Sequence, residues 1–310
     1  MSATGIGTGI APPPAVEGDG KGGGLIPPVH KTQGYWKGVF RRLARDKVAM
    51  LCLLVLVAMI LMAIFAPWIA PHDPIKGSVL RRLLPVGSPG YLLGTDELGR
   101  DMLSRLIYGA RLSLVMGITP VLNALVIGSF LGIVAGFLGG RVNTIIMRTV
   151  DVFYAFPSVL LAVAISGALG AGIANALLAL TIVFIPPIAR VAESVTTQVR
   201  SLDFVEAARA SGAGAFTIIR VHILGNVLGP IFVYATSLVS VSMILASGLS
   251  FLGLGTKPPD PEWGLMLNTL RTAIYTQPLV AALPGVMIFA VSISFNLMSD
   301  GLRSAMDVQR

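Results

Sequence analysis

The sequence predicts an all-α integral membrane protein of about six transmembrane helices, with both termini cytoplasmic and a helical docking element between the fourth and fifth spans. Three observations carry this. First, 54% of the 310 residues are hydrophobic and only 12% charged, with a mean hydropathy of +0.80. That is far from the balance of a soluble globular chain. Second, several apolar runs reach the ~20 residues a helix needs to cross a bilayer. They are continuously apolar rather than alternating, which excludes the strands of a membrane β-barrel. Third, residues 203–226 form a polar stretch between two apolar segments, carrying Asp203, Glu206, Arg209, Arg220 and His222. Such a stretch cannot lie in hydrocarbon and belongs to a loop on one side of the membrane.

The expected organisation starts with a disordered cytoplasmic tail over 1–34, rich in Gly, Pro, Ala and Thr and without apolar periodicity. Gly22-Gly23-Gly24 is no phosphate loop, because neither a preceding strand nor a following Gly-Lys-Ser/Thr accompanies it. The tail also lacks the charged start and apolar core of a signal peptide. Residues 35–47 form a basic interfacial lead-in through Lys37, Arg41, Arg42, Arg45 and Lys47. The transmembrane domain then fills 48–310, with an external segment at 72–108 and a polar loop at 196–226.

Spans are expected at 48–69, 111–137, 145–168, 173–195, 227–252 and 280–300. With this layout most of the 23 Lys and Arg residues fall on the side of the N-terminus and the polar loop, which marks that side as cytoplasmic. The net charge of +8 is thereby explained without nucleic acid, for which interleaved aromatics and a basic face are missing. The single Cys52 sits within the first span, allows no intramolecular disulfide, and is expected to be inert.

Within the spans, Gly128, Gly132 and Gly136 fall four apart, giving a small-residue face for close helix packing. Pro120 and Asn123 lie mid-span, where a kink can face a pathway. Asp151 is three residues after Arg148, and Glu193 three after Arg190, so each pair is spaced to meet on one helix face. Pro186-Pro187 is expected to bend or break the fourth span. Ser237, Ser240, Ser242, Ser247 and Ser250 either bond to their own helix or, as a group, line a water-filled path. Outside the spans, Asp96 and Asp101 read as solvated partners in local ion pairs of a capped surface helix, and Trp263 as an interfacial anchor.

In the polar loop Phe204, Ala207, Ala208, Ser211 and Gly212 recur at helical spacing as a face of small residues. Gly212 and Gly214 separate it from a second short turn (Phe216, Ile218, Ile219). Two short helices with a glycine joint form a docking element.

Glu206-Ala207-Ala208, then Gly212, then Ile223-Leu224, resembles the EAA signature of ABC-importer permeases. Gly225 stands where that family commonly has proline, and Gly214-Ala215 where it has an acidic residue. A longer similarity lies in Gly94, Thr95, Asp96, Gly99, Arg100 and Asp101, in Ile64-Phe65-Ala66-Pro67 through His72-Asp73-Pro74, and in residues 249–267. These resemble the dipeptide/oligopeptide/nickel permease family, C-type, over residues 35–306. The resemblance implies that Glu206, Ala207, Ala208, Ser211 and Gly212 form a coupling helix seated in an ATPase subunit. It also implies a homologous second permease, two ATPase subunits and an extracytoplasmic solute-binding protein, in a bacterial inner membrane. Alternating access would be driven by the partners' ATP. The solute implied is a di- or oligopeptide, although nickel, haem, glutathione and opines are carried by similar permeases.

The residues exclude other classes. The chain has no P-loop, so no ATP hydrolysis of its own is expected. His30, His72 and His222 are too scattered for a zinc site, no cofactor is expected, and no Ser/His/Asp or Gly-x-Ser-x-Gly arrangement appears. The alternative, a self-sufficient carrier or channel, would call for inverted repeats and midplane charges.

Overall fold

The computed structural model describes residues 35–306, so the 1–34 tail lies outside the described residues. Helix α1 (Tyr35–Leu43) leads to α2 (Lys47–Ile64) and a single turn, α3 (Ala66–Ile69). After an irregular segment come α4 (Met102–Leu138), α5 (Gly140–Tyr154), α6 (Ser158–Leu169) and α7 (Ile173–Arg200). The polar loop holds α8 (Asp203–Ala210) and α9 (Ala215–Ile218). A π turn then leads into α10 (Leu224–Phe251), followed by α11 (Trp263–Thr269) and α12 (Pro278–Met306). Five helical stretches are long and apolar enough to cross a membrane, and α5–α6 makes a sixth if counted as one bent span. The described residues contain no β-strand, only two isolated bridges.

Capping decides several boundaries. The Asp46 side chain accepts from the Val48 and Ala49 amides at 2.9 and 3.1 Å and starts α2. Asp101 does the same for α4 by accepting from Ser104 N at 2.9 Å. Each carboxylate satisfies amide donors that the helix itself leaves free and favours the positive end of the helix dipole.

The α4–α7 seam is the centre of the bundle. A Cβ added at Gly128 would lie 2.9 Å from the Ile185 carbonyl, and one at Gly136 2.7 Å from that of Glu193. At Gly132 it would press on the Ala189 carbonyl and come within 2.5 Å of Ala192 Cβ. The glycine stripe therefore brings the two backbones into direct contact, as its spacing suggests. α10 packs on α4, α7 and α12, and α2 lies against α12 on the outside of the bundle.

Three expectations need correction. The second span is not preceded by a separate surface helix, because α4 runs unbroken from Met102 for 37 residues, about 55 Å. The third span is broken: α5 and α6 meet at 87°. Pro157 supplies no amide to continue α5 and disfavours helical geometry at Phe156, and these two residues lie in the gap. Conversely, of the bend or break expected at Pro186-Pro187, the break does not occur, and α7 stays helical through both. Pro186 is buried and the preceding carbonyl packs on Gly128 of α4, so packing holds the helix despite the missing donors. Gly225, at the place of the family's proline, lies in the first turn of α10, which continues directly from the π turn.

The described ends share one end of the bundle with α8. Arg42 Nε of α1 donates to the Ala305 carbonyl of α12 at 2.7 Å, and a Cβ at Gly229 of α10 would lie 2.6 Å from Met306.

Candidate functional site

Two polar assemblies stand at opposite ends of the bundle. At the α8 end, one apolar anchor holds the short helix: Val205 is 0% exposed. The Arg209 guanidinium sits over the Phe137 ring at 5.5 Å from its centroid, tying α8 to the end of α4. Phe204 tilts against His222 at 6.0 Å between centroids. Asp203 and Glu206 occupy the first turn and Arg209 the last, each the charge that its end of the helix dipole favours. Glu206, Ala207, Ser211 and Gly212 are exposed and Ala208 is half-buried. Gly212 has φ +80°, a conformation glycine adopts at no steric cost, and no heavy atom lies within 4 Å of where its Cβ would be. The helix thus offers a small, open, polar face on a fixed base.

At the opposite end the segment before α4 is folded as a cap. Gly94 and Gly99 both have positive φ, and a Cβ on either would strike a carbonyl, that of Leu84 or of Ser78. Thr95 Oγ1 accepts from the Leu84 amide at 2.9 Å and donates to the Arg81 carbonyl. Asp96 Oδ1 accepts from the amides of Leu98 and Arg100, both at 2.9 Å, and its Oδ2 accepts from Arg100 Nε at 2.7 Å. Arg105 Nε lies 3.3 Å from the same oxygen, and its Nη1 donates to the Pro74 carbonyl at 2.9 Å. Asp101 Oδ2 also accepts from Ser104 Oγ at 2.6 Å.

The expectation of solvated surface carboxylates is therefore wrong: Asp96 is 3% and Asp101 1% exposed. Amide and guanidinium donors replace the water that Asp96 gives up, and the Ser104 amide and hydroxyl do so for Oδ2 of Asp101. Among the described residues no group of three His, Cys, Asp or Glu side chains gathers to hold a metal ion.

The cap is locked to α11 by residues that local pattern could not pair. Glu262 caps α11, accepting from the Gly264 and Leu265 amides at 2.8 Å each and from Ser113 Oγ of α4 at 3.2 Å. Burial pushes its carboxyl above the usual carboxylate value, against those hydrogen bonds. Trp263 is not an interfacial anchor. It is fully buried, and its Nε1 donates to the Leu106 carbonyl at 3.0 Å, in a space left open by Gly109. The only local signal was an acidic residue just ahead of an apolar helical run, the pattern of an N-cap.

Both i,i+3 ion pairs expected in the spans are also replaced. Asp151 pairs with Arg190 across α5 and α7, and Glu193 accepts from Asn143 Nδ2 at 2.6 Å. Of the two readings of the α10 serines, bonding to their own helix is seen at two positions. Ser237 and Ser240 donate to carbonyls one turn back at 2.7 Å, and Ser240, Ser242, Ser247 and Ser250 are buried.

Residues 128–308, more than half of the chain, match the family described as binding-protein-dependent transport system inner membrane component. The chain belongs to that family. This permease also matches, over residues 34–85, the N-terminal TM domain of oligopeptide transport permease C. It is 42% identical to the di/tripeptide transport system permease protein DppC of Pseudomonas aeruginosa, covering 87% of this chain and 91% of that one. It is 41% identical to the glutathione transport system permease protein GsiD of Pectobacterium atrosepticum, covering 88% and 90%. An inward-facing structure of the MetNI methionine ABC transporter shares the fold, with a TM-score of 0.55 at 19% identity, covering 66% of this permease and 97% of that chain. The permease is thus a multi-pass inner-membrane subunit of a binding-protein-dependent importer, and its long apolar helices are its spans.

Proposed function

We propose that this permease forms half of the translocation path of a di-/oligopeptide importer. Its partners are a homologous second permease, two ATPase subunits that hydrolyse the ATP, and an extracytoplasmic solute-binding protein. The peptide reading is supported by relatives named for di/tripeptides and for glutathione, itself a tripeptide.

The observation that carries the coupling role is α8, a short polar helix whose single core anchor, Val205, leaves Glu206, Ala207, Ser211 and Gly212 free to meet another protein. With Ala208 these five residues are the ATPase-coupling face. α8 would lie in the cytoplasm, together with the described ends of the chain, with which it shares one end of the bundle. The cap built on Gly94, Thr95, Asp96, Gly99, Arg100 and Asp101 would face outward, where the binding protein delivers solute. ATP-driven closure of the ATPases would press on α8 and rock the spans between inward- and outward-open states.

The test is a pull-down of the permease from its native membranes. Recovery of an ATPase is expected, and its loss with Gly212→Trp and with Ala207→Trp. The second variant fills the same face without the positive φ of residue 212. Unchanged ATPase recovery from both would sink the coupling reading. Recovery of this chain alone, with solute flux in liposomes lacking ATP, would point instead to a self-sufficient carrier.

A further inference from the structure

Where α5 breaks from α6, the bundle opens a cavity of about 330 Å³. Phe153, Tyr154 and Phe156 line it from the break, Ser158 from the start of α6, Phe184 from α7 and Tyr234 from α10. This is the size of a small-molecule pocket, and its walls are mainly apolar, with five aromatic rings among twelve lining residues.

Two opposite charges stand at its Tyr154 side. The Arg190 guanidinium lies over the Tyr154 ring at 5.5 Å from the centroid, and its Nη2 donates to Asp151 Oδ1. Both side chains are half-open, 48% exposed for Arg190 and 37% for Asp151.

Their depth makes this exposure informative. Arg190 lies about 25 Å along α7 from its cap end and about 15 Å from its α8 end, inside the span expected at 173–195 and toward its α8 side. Charges turned toward lipid at that level are costly, so a half-open pair there faces water or a polar partner. A broken helix at the same depth is a further mark of a path, since non-helical backbone inside a membrane survives only in protein or beside water.

We propose that Asp151, Arg190 and the adjoining aromatic pocket form a transit site for the zwitterionic backbone of a peptide. The ammonium of the solute binds Asp151 and its carboxylate binds Arg190 as the ion pair parts. Each charge then exchanges one partner for another, which offsets most of the penalty of separating a pair in a dry site. The aromatic walls accept apolar side chains, and Tyr154 adds a face for a cation. Between solutes the closed pair seals the path. This site rests on the peptide reading given under Proposed function.

The test uses the whole importer in proteoliposomes, with cysteine-free partner subunits, Cys52→Ser in this chain and Ser158→Cys as a reporter in the pocket. Charged methanethiosulfonate reagents are expected to modify Ser158→Cys and stop peptide uptake, and turnover with peptide should slow the modification several-fold. Adding Arg190→Gln should raise the ratio of cationic to anionic reagent rates about tenfold, and adding Asp151→Asn should lower it about tenfold. Either charge variant on its own should reduce peptide uptake about tenfold.

A reporter that is not modified, or is modified without effect on uptake, would overturn the transit site. So would a reagent ratio that neither charge variant moves. A parent importer that carries no peptide would refute the peptide assignment itself. A parent that carries peptide, with an inert reporter, would refute only this site.

Discussion

Gly132→Ala is a small substitution with a large expected effect. Its new methyl would press on the Ala189 carbonyl, and would lie 2.5 Å from Ala192 Cβ and 2.8 Å from Glu193 N. Two of these three atoms belong to the α7 backbone, so no rotamer change can clear them. Restoring ordinary contact needs the helices to part by about 1 Å, a gap that forfeits dispersion along the whole seam. Gly128 and Gly136 share that seam and would lose their close contacts as well. Overpacking of this kind costs about 1–3 kcal/mol, and the rigid neighbours place Gly132→Ala at the upper end. Gly248→Ala in α10 is the control, because nothing lies within 4 Å of its added methyl. There the gain in helix propensity should leave stability unchanged or raise it by up to about 1 kcal/mol. Thermal unfolding of the purified permease in detergent measures both. Equal melting temperatures for Gly132→Ala and the parent would refute the claim that backbone contact at the α4–α7 seam organises the bundle.

Two further outcomes follow from the cap. Burial raises the Glu262 carboxyl above its ordinary 4.5, so the folded state holds this proton more tightly than the unfolded chain does. Its contribution is full below that value and is lost as pH climbs through the raised one, so stability should decline over this window. Glu262→Gln should flatten that slope while costing about 1.5–3 kcal/mol for the amide bond at Leu265 that it cannot accept; an identical slope in both proteins would contradict the assignment. Arg105→Ala should cost about 3 kcal/mol, since it strips a buried partner from Asp96 and the bond to the Pro74 carbonyl. Limited proteolysis should then cut residues 72–101 faster than in the parent, and an unchanged rate would show that Arg105 does not hold the cap.

Much of the molecule was legible in one dimension because its cause is one-dimensional. Apolar runs must be helices in a bilayer, since a helix satisfies its own backbone there. The glycine stripe at 128, 132 and 136 shows its close-packing face by spacing alone. The segment 203–226 declares itself a surface loop by polarity, and the small residues at 207, 211 and 212 are exposed as their spacing suggests. Asp46 and Asp101 start helices through amides only a few residues away.

What the tertiary structure decided are the choices between partners distant in sequence. Arg148 and Glu193 sit at ideal spacing for Asp151 and Arg190, yet Asp151 and Arg190 choose each other because the α5–α7 contact brings them together. Proline is locally a breaker at both 157 and 186, but the chain breaks only at the first. Helix α4 supports the second, a fact no window of α7 contains. Asp96, Asp101 and Trp263 look like surface residues until Arg100, Ser104 and Leu106 supply the hydrogen bonds that let them be buried. Burying a polar group is costly unless a partner meets it, and which partner meets it is set by how the helices pack.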